Sequence, residues 1–132
     1  MTSDETASAA DMKTSDHDGV LVAVISGELD MVTVDSVGKA LFDLLDAGPG
    51  GLVVELAVDF MGSSALSMLL KLSGHAQSSG VGFAIVAAQP AAVRPLMASA
   101  LAQVLPLAES VDEAVKSVRK PGEPAEQPDQ SS

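Results

Sequence analysis

Leu52-Val53-Val54-Glu55-Leu56-Ala57, followed by Val58-Asp59-Phe60-Met61-Gly62-Ser63-Ser64-Ala65-Leu66-Ser67-Met68-Leu69-Leu70, decides the fold. The first six residues are an apolar run of strand length, and they read as a buried strand. Two consecutive serines then open an apolar stretch with helical spacing. A strand that turns directly into a helix places Ser63 and Ser64 where unpaired backbone N–H groups and the positive end of a helix dipole converge. Such a place accommodates a dianion, so it suits a serine that accepts phosphate. Capping is the simpler use of the same residues, since serine is favoured at helix starts.

Working outward, the same alternation repeats. Asp16-His17-Asp18-Gly19 is a turn signal before the strand Val20–Ile25, which predicts a hairpin with a weak strand near Ala9–Thr14. Val34, Val37, Leu41, Leu44 and Leu45 recur at helical spacing, with Thr33 as N-cap, Asp35 in the first turn and Gly48-Pro49 as the stop. The helix opened by the serine pair should run to about Ser78. Helical spacing places Leu66, Leu69, Leu70 and Ser73 toward the sheet, with Ala65 and Ala76 on the flank of that face. Ser64, Ser67, Lys71 and Ser78 point outward with Gly74 and His75 near the edges, and Met68 lies at the boundary. Gly80-Val81-Gly82 reads as a turn into a third buried strand, Phe83–Val86. Pro90 suits the first position of a helix that Pro95 should distort. Val104–Leu107 suggests a last short strand, and Ser110 with Glu113 forms a capping box for a helix over Val111–Arg119. Strands alternating with helices predict an α/β domain: a mostly parallel, mixed sheet of four to five strands packed with about four helices. No internal repeat is present.

Composition narrows the function. One domain is expected at 132 residues, with a core of Val, Leu, Ala, Ile and Met, because there is no Trp or Tyr. The chain has no Cys, which excludes disulfides and thiolate chemistry. A net charge of −11 argues against nucleic acid, which demands a basic face. The stretch 19–119 holds ten acids and five bases, so more than half of that charge lies in the two ends. Residues 1–8 and 120–132 carry too little apolar surface to offset their ordering entropy and are expected to be disordered tails around a domain over 9–119. The N-terminus lacks the basic and apolar parts of a signal peptide. The uncharged stretch Leu72 to Val93 is interrupted by Ser73-Gly74-His75 and Gln77-Ser78-Ser79-Gly80, so it does not span a bilayer. A cytoplasmic protein is the expectation. His17 and His75 are too isolated for a metal site, and Ser63 lacks the Gly-x-Ser-x-Gly context of a hydrolase, so neither an enzyme, a metal nor a cofactor is expected.

Four blocks in order resemble the STAS domain of anti-sigma factor antagonists. They are Gly27-Glu28-Leu29-Asp30, the loop Asp59 to Leu66, Pro90-Ala91-Ala92-Val93-Arg94, and Leu105-Pro106-Leu107 with the short helix after it. The resemblance covers about Gly19 to Arg119. It implies a monomeric partner switch: the unmodified protein binds an anti-sigma factor kinase and frees a sigma factor, phosphorylation of Ser63 ends the complex, and a serine phosphatase resets it. The partner surface so implied takes in Asp30, Met61, Gly62, Ser63, Ser64, Ser67, Met68 and Lys71. Two positions depart from the family pattern, Gly62 where aspartate is usual and Ala65 where glycine is usual. A carboxylate beside Ser63 would orient the hydroxyl or help hold a kinase's magnesium. Two alternatives stay open, a STAS adaptor of a transporter or stress-signalling complex that is never phosphorylated, and a small-ligand sensor.

Overall fold

Asp18 and Gly19 form a two-residue turn in which both φ angles are positive, 58° and 92°. That is the demand of the hairpin turn matching the twist of antiparallel strands, and Asp-Gly meets it with least strain. The Asp16 carboxylate braces it by accepting the Gly19 N–H at 2.8 Å. The computed structural model describes residues 10–87 and 89–119, so the two tails lie outside the described residues. In it the turn joins β1 (Ala10–His17) to β2 (Val20–Leu29), paired antiparallel from His17–Val20 to Ala10–Gly27. The first strand is longer than its composition suggested. Only Ala10 and Met12 pack on the core, which is why its apolar signal is weak.

The remaining strands, β3 (Gly51–Met61), β4 (Gly82–Ala87) and β5 (Leu107–Ala108), add in chain order, each parallel to the one before. The helices are α1 (Val34–Asp46), α2 (Ser63–Ser79), α3 (Pro90–Ala98) and α4 (Val111–Arg119). Among the described residues, five strands in a mixed, mostly parallel sheet with four α-helices match the expected architecture. The last strand is shorter and later than expected. Ala100–Gln103 forms a 3₁₀ turn, and pairing waits until after Pro106, which has no N–H to give the ladder but whose carbonyl accepts the Ile85 N–H at 2.9 Å. Pro95 sits inside α3, which continues to Ala98. No described helix is long and apolar enough to cross a membrane.

Strand residues alternate between two cores. Ala23, Ile25, Leu52, Val54, Leu56 and Ile85 face α1, α2 and α3, while Val20, Val22, Val53, Ala84 and Val86 face α4. The face of α2 that packs is Ala65, Met68, Leu69, Leu72 and Ala76. This corrects the expected leucine-centred face: Leu66 is only partly buried, Leu70 is 41% exposed, and the helix is turned by about one residue position. α2 packs against α1 as well as the sheet, with Met68 lying over Gly38 of α1, so its buried face is shared between the two.

Candidate functional site

The site lies at the C-terminal ends of β2 and β3, where open parallel sheets present their loops. It begins with an irregularity. Gly27 pairs with Val58 but Glu28 pairs with Phe60, so Asp59 is an extra residue in β3. A bulge of this kind reverses the alternation beyond it. Leu52, Val54, Leu56 and Val58 face the larger core, and without the bulge Phe60 would follow them. Instead Met61 enters the core, 5% exposed, and Phe60 is turned out, 49% exposed. Met61, expected on the partner surface, is therefore unavailable there. Phe60 is the side chain presented there.

Asp30 builds the adjoining loop. Its Oδ1 accepts the N–H groups of Val32 at 2.9 Å and Thr33 at 3.0 Å. The Thr33 hydroxyl in turn accepts the Asp30 N–H at 3.0 Å and donates to the Glu28 carbonyl at 2.7 Å. These reciprocal bonds are those of a capping box. Asp30, which the sequence offers as a cap or brace for the turn after the second strand, braces that turn, and the expected N-cap Thr33 makes no side-chain cap bond to α1. The Thr33 N–H first, then that of Val32, holds the Asp30 carboxyl below its ordinary value of 3.8. One consequence is geometric: a turn fixed from inside carries Met31 and Val32 outward, 79% and 84% exposed.

Ser63 is the first residue of α2 and exposed; Ser64 is half-buried. Gly62 precedes them as N-cap, extended at φ −92° and ψ 179°, with no side chain to cap the helix. Its N–H bonds the Leu29 carbonyl at 2.9 Å, which ties the serine turn to the end of β2. Asp30, Met31, Val32, Phe60, Gly62, Ser63 and Ser64 together line an open depression of about 610 Å³. Asp30 is its only ionisable residue, and that carboxylate is engaged within its own turn. The depression thus offers apolar walls, two hydroxyls and an uncapped helix start.

The other expected site residues lie farther along α2. Ser67 and Lys71 are exposed on its outer face, and Met68 is buried against α1. His75 is not isolated as expected. Its Nε2 lies 2.8 Å from Asp46 Oδ1, and its ring meets Phe42 edge-on at 5.1 Å, which makes it a clasp between α1 and α2. Met31, Val32 and Phe60 are the site residues that sequence reasoning missed. Two adjacent apolar residues in a turn, Met31-Val32, were the available signal.

The STAS domain family model matches residues 11–114, and the chain belongs to that family. It is 33% identical over 106 residues to the anti-sigma-F factor antagonist RsfB of Mycobacterium tuberculosis, covering 80% of this chain and 86% of the relative. The crystal structure of an anti-sigma factor antagonist from Mycobacterium paratuberculosis superposes with a TM-score of 0.75 at 33% identity, over 87% of this chain and 98% of that one. The phosphorylated form of the Bacillus cell fate determinant SpoIIAA superposes at 0.58, over 83% of this chain and 100% of that one; at 16% identity that likeness concerns the fold alone.

Proposed function

We propose that this chain is an anti-sigma factor antagonist: it docks on an anti-sigma factor kinase through the 30–33 and 60–64 loops, frees a sigma factor, and is switched off by phosphorylation of Ser63. Relatives named as anti-sigma factor antagonists, alike over most of their length, support the class. The observation that carries the switch is the place of Ser63, an exposed hydroxyl at the uncapped start of α2 inside an apolar depression. Such a depression is the kind of surface that anchors a protein partner.

Ser63 makes no hydrogen bond to a base among the described residues. The chain therefore acts as phosphoryl acceptor, and the kinase supplies ATP, magnesium and the base. The γ-phosphorus to β,γ-bridging oxygen bond breaks, the Ser63 oxygen gains the phosphoryl group, and its proton leaves to the kinase. A serine phosphatase returns the hydroxyl. The phosphate adds about −1.5 to −2 charges at a helix N-terminus, which tolerates them, so the fold persists. The cost falls on the partner, whose surface now meets a desolvated charge, at roughly 2–4 kcal/mol or about 30- to 1,000-fold in affinity. The protein works as a monomer in the cytoplasm.

The test is binding to the purified anti-sigma factor kinase by calorimetry. Ser63→Ala should bind and resist phosphorylation, whereas Ser63→Asp should bind weakly with unchanged circular dichroism. Phe60→Ala should weaken binding without lowering the melting temperature. Tight binding by Ser63→Asp, with phosphate found elsewhere or nowhere, would favour the adaptor that is never phosphorylated.

A further inference from the structure

Beside the Ser63 depression runs a second one, a groove of about 520 Å³ between α1 and α2 that shares Ser64 with it. Its floor exists because Gly38 has no side chain. A Cβ there would stand 3.0 Å from Met68 Cγ, so α1 and α2 approach closely and Met68 closes the bottom. Val34 and Phe42 line the α1 wall. Ser67 lines the α2 wall, and Lys39 and Lys71 face the groove from opposite helices.

The charge is unusual for this chain. Acids outnumber bases 18 to 7, yet α2 has no acidic residue in its 17 positions. Lys39 and Lys71 form no ion pair among the described residues. Asp35 is the single carboxylate on the groove wall. Two unpaired ammonium groups over an apolar floor complement a helix with acids on one side and aliphatic residues on the other.

We propose that the α1–α2 groove docks an acidic amphipathic segment of the protein partner, a second contact region apart from the Ser63 depression. The proposal deepens the partner-binding reading above by giving the chemistry of what is bound. Phosphorylation acts on the first region, and the groove contact depends on salt instead.

The probe is a synthetic amphipathic helix with leucine along one face and glutamate along the other, titrated into the isotope-labelled full chain. Amide shifts should map to Gly38, Lys39, Phe42, Ser67 and Lys71. The Lys39→Glu/Lys71→Glu double variant should lose about tenfold in affinity, and raising salt from about 50 to 300 mM should weaken wild type several-fold. Lys39→Arg/Lys71→Arg, which keeps the charge, should bind as wild type. Shifts confined to Met31, Val32 and Phe60 would overturn the proposal, as would equal binding of a lysine-for-glutamate peptide or indifference to both the charge reversal and salt. Binding of the purified kinase judges the antagonist reading separately. A peptide-occupied groove in a chain that binds no kinase upholds the groove and rejects that reading. Kinase binding unaffected by the double reversal does the opposite.

Discussion

The two ends of the sheet use glycine for different reasons. At the strand starts, Gly51 and Gly82 lie under the last turn of α4. A Cβ on Gly82 would sit 2.7 Å from the Val118 carbonyl oxygen, and one on Gly51 would sit 2.8 Å from Val118 Cγ2. At the strand ends, Gly62 has an ordinary extended backbone, and a Cβ there would meet only Phe60 and Leu29 at 3.5–3.8 Å. Packing dictates the first pair. At the second place any small side chain fits, so its absence is a chemical choice. Met31, Val32 and Phe60 gather at the strand ends, while at the strand starts Val118 is buried and Val104, beside Val81 and Phe83, is 63% exposed. Packing closes the starts of β3 and β4, and the ends of β2 and β3 leave Met31, Val32 and Phe60 uncovered.

The most damaging way to test that division is Gly82→Ala. Its methyl group has to displace a backbone carbonyl rather than a flexible side chain, so α4 must shift and partly uncover Val20, Val53 and Val86. The expected loss is about 2–3 kcal/mol, or roughly 10–20 °C in melting temperature for a domain of this size. Gly62→Ala should cost about 0.5–1 kcal/mol, the advantage of glycine over alanine at an N-cap. Similar losses at both positions in thermal denaturation would erase the contrast.

Asp30 supplies a smaller effect with a definite pH signature. Folding lowers its pKa, so the carboxylate form stabilises the fold. That contribution is fully present above the ordinary value of 3.8 and is lost as pH falls through the lower folded value. Asp30→Asn keeps an acceptor for the Val32 and Thr33 N–H groups but does not titrate, and it should flatten this part of the acid limb of stability. Asp30→Ala should lower the melting temperature at neutral pH and free the 30–33 turn, which faster amide exchange at Val32 and Thr33 would report. An acid limb identical in wild type and Asp30→Asn would show that the turn does not depend on the carboxylate.

The sequence made some of this visible and concealed the rest for physical reasons. Asp18-Gly19, the Leu52–Ala57 run and the Ser110 cap are local signals, and each marks its element; Ser110 Oγ accepts the Glu113 N–H at 3.2 Å. The order of strands and helices followed from alternation. The bulge at Asp59 did not, because one extra residue in an apolar strand leaves the composition unchanged while exchanging Phe60 for Met61. The rotation of α2 was hidden because the leucine spacing points to the sheet alone, whereas the helix also packs on α1, where Met68 lies over Gly38. Asp30 offers itself in the sequence as a brace for the turn after the second strand, but the outward turn of Met31 and Val32 follows only from the bonds that it and Thr33 make there.

The smallest expected change in stability belongs to Gly62→Asp, and it sharpens the contrast most. The N-cap backbone is already extended and the space is open, so the carboxylate can accept N–H groups of the first turn of α2 that no side chain caps now. A gain of a few tenths of a kcal/mol is expected. The phosphate on Ser63 draws on the same N–H groups and the same dipole end. Once both are present they compete and repel, so phosphorylation should lower the melting temperature of the variant more than that of wild type. With the same kinase, the variant should be phosphorylated faster if the missing carboxylate limits hydroxyl orientation or magnesium binding. Neither a left-handed backbone nor crowding at Gly62 remains to explain an unchanged or slower rate. That result would mean the glycine keeps the depression open and uncharged for the partner, and the measurement that decides it is kinase affinity of the unphosphorylated variant beside wild type.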